Sequence, residues 1–469
     1  MTEQVHRLTG PDALMLHLED DQTPMHTLKV AVLDTARLCR AITLADLHRL
    51  VPEYLGIAPW TTRRFATGRG YGGRPFLVDA PVELEHHLDE VHAPTPDRAG
   101  LDAVCADLAE RRLDRGRPPW AITLVHGLEN GRQALVVRVH HAVADGLAAL
   151  NTFLALTTDS PEVLPAGERA RTASAAATTG ADLRRAAHQD RMAARGGLPA
   201  AVRAARASRR VSRAYAEKEL VPGTLSAPRT SFNRNGGGER VCASGDLDLA
   251  LVKQVGRASG ATLNGVLHAA IAGAMRAEYT ARGDRTDVPA VATFGVADDV
   301  KTTRTSGNQI TAASVYLHVE EADPLVRLER TSRACLHGVA LRRERGPALT
   351  RALGDLVPRV GPYLRTVFAH RLPRILNNIT TANVPGPRTH RFAGPVEVVD
   401  WISYAVAVAP AEVNLTVYSY GERMTMGLVA TPRSMPDPAA FLRRVAEELD
   451  VLAAAVGPVE SPEGLLAVS

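Results

Sequence analysis

Cysteine is scarce in this chain. Cys39, Cys105, Cys242 and Cys335 lie far apart, with no CxxC pair. Such spacing offers neither a zinc ribbon nor a thioredoxin-like redox motif and implies no disulfide framework, so a reducing cytoplasm is the expected compartment. Aromatic residues make up only 4% of the sequence. With little on which to stack bases, and with no zinc-finger or RNP-like string, no nucleic-acid partner is expected. Long apolar runs are missing too: nowhere do about 18 uncharged apolar residues follow one another, and the opening MTEQVHRLTGPD has an acid at Glu3 and no apolar signal-peptide segment. Neither a membrane span nor secretion is expected.

What is present is ordinary globular composition, with 45% apolar residues in 469. Disorder, collagen and coiled coil are excluded, and two to four domains or one large two-lobed unit is implied. The net charge of +4 is unevenly spread, because residues 183–215 hold nine arginines against Asp190 and leave the rest of the chain net acidic. Arginine outnumbers lysine 51 to 4 throughout, so the basic segment reads equally as a compositional bias and as a contact for anionic lipid. On a helix, Arg203, Arg206, Arg210 and Arg213 would share one face.

Up to about Leu156 the pattern is mixed α/β. GPDALMLHLED and residues 100–113 read as helices, TLKVAVLD as a strand, and QALVVRVHH as a strand with Leu135, Val137, Val139 and His141 on one face. Residues 159–228 turn to Ala, Arg, Gly, Ser and Pro, a basic linker with helical pieces interrupted at Gly196, Gly197 and Pro199. The second half returns to α/β, with a buried helix over 263–278 and a hairpin of VNLTVYSY and RMTMGLVAT across Gly421 and Glu422. The expected division is therefore 1–158, linker 159–228, and 229–469.

The sharpest chemical signal is His140-His141-Ala142-Val143-Ala144-Asp145-Gly146, placed where an apolar strand stops. Continued alternation turns His141 inward with Val137 and Val139 and His140 to the other side, leaving one interior imidazole positioned as a general base. The bland alternative is a polar strand end with solvated or core-satisfied histidines. Asp145 can turn back onto the motif's backbone, a ring nitrogen or a buried cation, and Gly146 would permit a positive φ in the turn.

HHAVADG matches the HHxxxDG signature of CoA-dependent acyltransferases and peptide-synthetase condensation domains. The chain further resembles the bacterial wax ester synthase/acyl-CoA:diacylglycerol acyltransferases in LTGPDALMLHLED, Pro24-Met25-His26, LDRGRPPW ending at Trp120, APRTSFN before Arg240, Asn264, Asn308, NVPGP at 383–387 and VNLTVYSYGER. The resemblance implies two chloramphenicol-acetyltransferase-like lobes of mixed α/β structure, with the active site in a channel between them. It also implies acyl-CoA as substrate, a diacylglycerol or long-chain alcohol as acceptor, and neither metal nor organic cofactor. His141 would take the acceptor's proton, with His140 beside it. No GxSxG elbow occurs, so direct transfer is expected.

In the superfamily the aspartate commonly pairs with an arginine, which makes Asp145 structural and Arg63 or Arg64 its expected partner. Asn264 and Asn383 match channel positions, although a helix cap and a turn would explain them equally well. Gly265, Pro119, Ala382 and VATFGVAD at 291–298 depart from the family pattern around that channel. They leave a different alcohol acceptor, or a non-catalytic lipid-binding paralogue, as alternatives. Peripheral contact with a membrane or lipid droplet is an expectation of the same kind. Two decoys are set aside. Gly68-x-Gly70-x-x-Gly73 follows no strand and opens no helix, and His86, His87, Asp89 and His92 match no zinc ligand set.

Overall fold

The computed structural model describes residues 6–68, 74–167, 179–196, 198–223, 225–234, 236–297, 302–345 and 374–457. Period-two alternation builds two six-stranded sheets. The first runs Arg391–Ala393, Val396–Tyr404, His26–Asp34, Gln133–His140, Trp120–His126, Leu88–His92. Ala31, Leu33 and Val139 from one face of it join the apolar cluster that includes the HHxxxDG residues Ala142, Val143 and Ala144. Leu28, Val30 and Val136 from the other face pack with Leu101, Cys105 and Leu108 of the Arg98–Glu110 helix.

The second sheet runs Ile310–Leu317, Ala290–Ala297, Ile379–Val384, Val413–Tyr420, Arg423–Ala430, Val241–Asp248. Ile379–Val384 lies parallel to both of its neighbours. The Leu263–Arg282 helix covers this sheet with Val266, Leu267, Ala270, Ile271, Ala274 and Met275, all buried as its period predicts. The expected hairpin forms, turning at Gly421 with φ +59°. Helix starts follow local chemistry: Thr9, Thr43, Asp97, Asp145, Asp248, Thr262 and Asp437 each accept a bond from a first-turn amide.

Two contiguous lobes, 1–158 and 229–469, do not describe this arrangement. Val396–Tyr404 crosses over to pair with His26–Asp34, matching Trp401 with Ala31 and Ser403 with Lys29, so the first sheet is completed from the second half of the chain. The helical expectation for 159–228 is met by Gly180–Gly196 and Leu198–Ala216. Leu183 and Ala187 of the former pack on Phe76, and Ser208 of the latter accepts a 2.7 Å bond from Arg345. Contrary to expectation, the glycine-rich string does follow a strand, Arg63–Ala66, paired with Phe76–Asp79, while its residues 69–73 lie outside the described residues.

The two halves are also fastened by a buried carboxylate. Asp102, on the Arg98–Glu110 helix, accepts bonds from the Ser244 amide (2.8 Å), the Ser244 hydroxyl (2.8 Å) and the Tyr404 hydroxyl. Replacement by alanine leaves three donors without their acceptor, each costing on the order of 1 kcal/mol or more. Asp102→Ala is therefore expected to lower the melting temperature clearly, and an unchanged calorimetric transition would show that water replaces the carboxylate there.

Candidate active site

The Gln133–His140 strand ends at the first motif histidine. His140 pairs in register with His26, and the following His141 amide donates to the Met25 carbonyl at 2.7 Å. Contrary to the simple alternation, His140 is the fully enclosed ring, whereas His141 keeps partial exposure. The reason is a second charged layer behind the strand end. The His140 Nδ1 accepts from the Ala142 amide at 3.0 Å, and its Nε2 lies 3.6 Å from the Glu19 carboxylate, which Arg115 grips at 2.6 Å. Burial would raise the Glu19 carboxyl, but His140 and Arg115 overcome it and hold the group at about 2.

The His141 Nδ1 is buried and, among the described residues, has no hydrogen-bond partner. Burial lowers the ring's affinity for a proton; its own backbone and the Asp145 charge act against that, and Lys29 lowers it again by a smaller amount. The loop carrying this ring is held from outside. Asn308 donates to the His141 carbonyl at 2.7 Å and to Asp12 at 2.8 Å, and Asp12 is itself locked in a capping box with Thr9.

Asp145 is fully buried and caps the Gly146–Ala155 helix through the Ala148 amide at 3.0 Å. Its other oxygen receives the Gln309 amide at 2.9 Å and the Arg304 guanidinium. The expected partners Arg63 and Arg64 are not used. Arg63 pairs with Asp79 at 3.0 Å and Arg64 reaches the Phe65 carbonyl. Arg304 sits 159 residues after Asp145, and its proximity is made by the fold, through the bridge between Ala144 and Gly307. Gly146 is likewise required for a different reason than a positive φ. It opens a helix, and a Cβ there would stand 3.1 Å from the Tyr418 hydroxyl, which donates to the Gly146 carbonyl.

The two channel asparagines meet: the Asn383 amide donates to the Asn264 side-chain oxygen at 2.9 Å. Both line a cavity of about 1820 Å³ whose walls also carry Lys253, Arg257, Arg343, Arg388 and Arg423 against Asp246, Asp248 and Glu422. Neither motif histidine is among its lining residues, but Val384, the neighbour of Asn383, would touch a Cβ on Gly146 at 3.4 Å. Gly265 has a packing explanation, since any Cβ there would lie 2.4 Å from the Ser332 hydroxyl of the adjoining helix. Pro119 accepts the His140 amide, and Ala382 pairs with Thr416 within its sheet. In the 291–298 string, residues through Ala297 form a strand and Asp298 lies outside the described residues. Of the histidine-rich decoy, His87 stacks on Trp120, and among the described residues no three His, Cys, Asp or Glu groups gather as a metal site.

Sequence reading missed Lys29, Ser403, Tyr418, Arg304 and Glu19 as site components. Glu19 stood inside a matched motif and Arg304 near Asn308, whereas Lys29 carried only the oddity of a charge on the core face of a strand.

Two sheets meeting beside a rigid HHxxxDG loop define the class: a two-lobed, HHxxxDG acyltransferase fold. The family model for the wax ester synthase/diacylglycerol acyltransferase catalytic domain matches residues 8–267, and that for the family's C-terminal domain matches 306–453. The chain belongs to this family of acyltransferases. A Mycobacterium tuberculosis protein with the inferred name diacylglycerol O-acyltransferase is 31% identical over 442 residues, 91% of this chain and 92% of the relative. Among solved structures, the wax ester synthase/diacylglycerol acyltransferase of Marinobacter aquaeolei VT8 superposes with a TM-score of 0.69 at 21% identity, over 96% of this chain and all of that one. The first condensation domain of the CDA synthetase gives 0.61 at 18% identity, covering 98% of each chain.

Asp145→Asn tests the anchor. Losing one member of a fully buried pair costs about 3–5 kcal/mol, less here because the Arg304 side chain keeps 14% exposure. The variant is expected to melt lower and to lose activity together, and Arg304→Gln should reproduce both losses. Unchanged melting with lost turnover would make Asp145 a direct partner in the chemistry.

Proposed function

We propose that the protein transfers the acyl group of an acyl-CoA to the hydroxyl of a hydrophobic alcohol, diacylglycerol first and a long-chain alcohol as a second acceptor. The observation that carries this reading is His141, a ring held neutral by burial on a loop fixed by Asn308 and by the Asp145–Arg304 pair. With Nδ1 enclosed, proton exchange with a substrate falls to Nε2. As the acceptor oxygen attacks the thioester carbonyl carbon, the imidazole takes its proton and the carbonyl π electrons move to oxygen. Collapse of that tetrahedral intermediate re-forms the carbonyl and breaks the C–S bond, and the imidazolium protonates the departing CoA sulfur. Only acyl-CoA and the alcohol enter this scheme; no metal or organic cofactor takes part.

The basic cavity beside Asn264 and Asn383 suits the phosphates of CoA, because arginine and lysine bind phosphate through charge-assisted hydrogen bonds. The Asn383 amide, already oriented by Asn264, is placed to align the acyl donor. The packing reason for Gly265 removes one argument for an unusual acceptor. Purified protein incubated with labelled palmitoyl-CoA and a panel of alcohols should acylate diacylglycerol, and His141→Ala should lose about 10²- to 10⁴-fold in turnover while remaining folded. Near-parental transfer by folded His141→Ala would end the base assignment. Transfer only to small polar alcohols would end the lipid-acceptor reading.

Diacylglycerol must be collected from a lipid surface, and among the described residues no helix is long and apolar enough to cross a membrane. Arg203, Arg206, Arg210 and Arg213 are exposed on the Leu198–Ala216 helix, whose Ser208 side is buried toward Arg345. That exposed basic face, on which Arg213 also pairs with Glu217 at 3.6 Å, supports a peripheral, electrostatic contact with anionic lipid at a membrane or droplet. Each basic residue adds on the order of 1 kcal/mol near such a surface, screened beyond about 8 Å. Changing all four to glutamine is expected to reduce sedimentation with anionic liposomes and to leave transfer to a short-chain alcohol intact. Equal sedimentation of parent and variant at low and high salt would make the helix a solvated connector.

A further inference from the structure

Lys29 is out of place by every rule of strand chemistry. It sits mid-strand, 4% exposed, and alternates with Ala31 and Leu33, so it occupies the face of the sheet that packs on the HHxxxDG loop. A buried ammonium is costly unless it is paired with a carboxylate. Among the described residues, no carboxylate oxygen lies within ion-pair distance of it. Its Nζ donates to the Ser403 hydroxyl at 2.6 Å and stands 5.3 Å from the centre of the Tyr418 ring. Tyr418 in turn donates to the Gly146 carbonyl at 3.0 Å. The ammonium and the end of the motif loop thus rest on one tyrosine.

We infer that Lys29 is a positioning residue for the acyl transfer, a fixed positive charge that keeps the His141 imidazole unprotonated and ready to act as base. This inference rests on the reading of His141 given above. The groups facing His141 are few enough to weigh. Asp145 favours the protonated ring, and Arg304, bonded to its carboxylate, draws on the same charge from the other side. Asp12 is turned to Asn308 and Thr9, and His140 is turned to Glu19, itself held by Arg115. Tyr418 is neutral, since burial pushes its hydroxyl above the ordinary range. Lys29 is the charge left without an ion-pair partner, and it acts from a site that Ser403 and Tyr418 hold still. Burial pushes Lys29 down to about 8, against Asp145, so it remains charged across the range in which an imidazole titrates.

The sign follows directly. Neutral His141 is the working form, so kcat/KM falls as pH drops through its pKa, and a neighbouring positive charge moves that fall to lower pH. A unit charge several ångströms away in a protein interior shifts a titration on the order of one pH unit. Lys29→Met, similar in volume and uncharged, is expected to move the acid limb of kcat/KM upward by about one unit. Lys29→Gln, which keeps a donor for Ser403, should move it equally. Circular dichroism and melting establish that each variant is folded, and either folded variant suffices. An acid limb unmoved in both would overturn the inference, as would a limb moved in Lys29→Met but restored in Lys29→Gln, which would make the hydrogen bond the cause. If neither variant folds, the parent's His141 imidazole, followed by NMR, is the remaining check, and titration at or above the ordinary value near 6.5 overturns the inference. His141→Ala run alongside separates the two readings. If it keeps parental turnover, the base assignment has failed; if it abolishes turnover while the acid limb ignores Lys29, only the present inference has.

Discussion

The site hangs on one buried carboxylate. Asp145 accepts the Ala148 amide of its own helix, the Gln309 amide and the Arg304 guanidinium, so a single side chain joins the end of the histidine loop to a segment more than 150 residues away. Arg304 and the Gly307 backbone close the same junction from the other side, where the Gly307 amide donates to Val143 at 2.6 Å. An ion pair in such a place adds little net stability over apolar packing, yet removing one partner is costly because the other charge stays buried. Its value is geometric: the loop cannot move without exposing or breaking that pair.

The lobes are not independent bodies that happen to touch. Val396–Tyr404 completes the first sheet, and the same strand brings Ser403 to Lys29 and Tyr404 to Asp102. Val384, Trp401, Tyr418 and Tyr420 pack in the apolar cluster of the first lobe. Opening a cleft between the sheets by rigid-body rotation would have to break a ladder of backbone bonds as well as this apolar contact. Substrate access through openings at the rim, such as the basic cavity beside Asn383, is physically cheaper than separation of the halves.

Most of the local structure was legible because it is written in local chemistry. Capping threonines and aspartates, the 263–278 apolar stripe and the Gly421 turn need no partner distant in sequence to be recognised. The motif histidines were legible as well, through spacing and the strand that ends at them. What stayed hidden depends on topology. Nothing in APWTTRRF distinguishes Arg63 or Arg64 from Arg304 as the aspartate's partner until the fold closes. The strand at 396–404 looks like any other strand of the second half, and its sheet is decided by register against 26–34. Gly146 and Gly265 were each visible as glycines, but the Tyr418 hydroxyl and Ser332 that exclude a Cβ arrive from elsewhere in the chain.

The two adjacent histidines are made different by what surrounds them. For His140, Nδ1 must be unprotonated to accept the Ala142 amide, which places the proton on Nε2, 3.6 Å from the Glu19 carboxylate and beyond hydrogen-bond length. The wholly enclosed Glu19 carboxylate beside it is held by Arg115 at 2.6 Å and by the Met25 amide at 3.3 Å. His141 differs in exposure: among the described residues its Nδ1 is likewise buried without a hydrogen bond, but the residue as a whole stays partly open. A base must be free to gain a proton and to lose it within each cycle, and complete enclosure of a ring works against that exchange. Burial of His140 beside Glu19 therefore serves to fix the loop from beneath, while Asn308 and the Asp145–Arg304 pair fix it from above. The imidazole left between those two anchors is the more open of the pair.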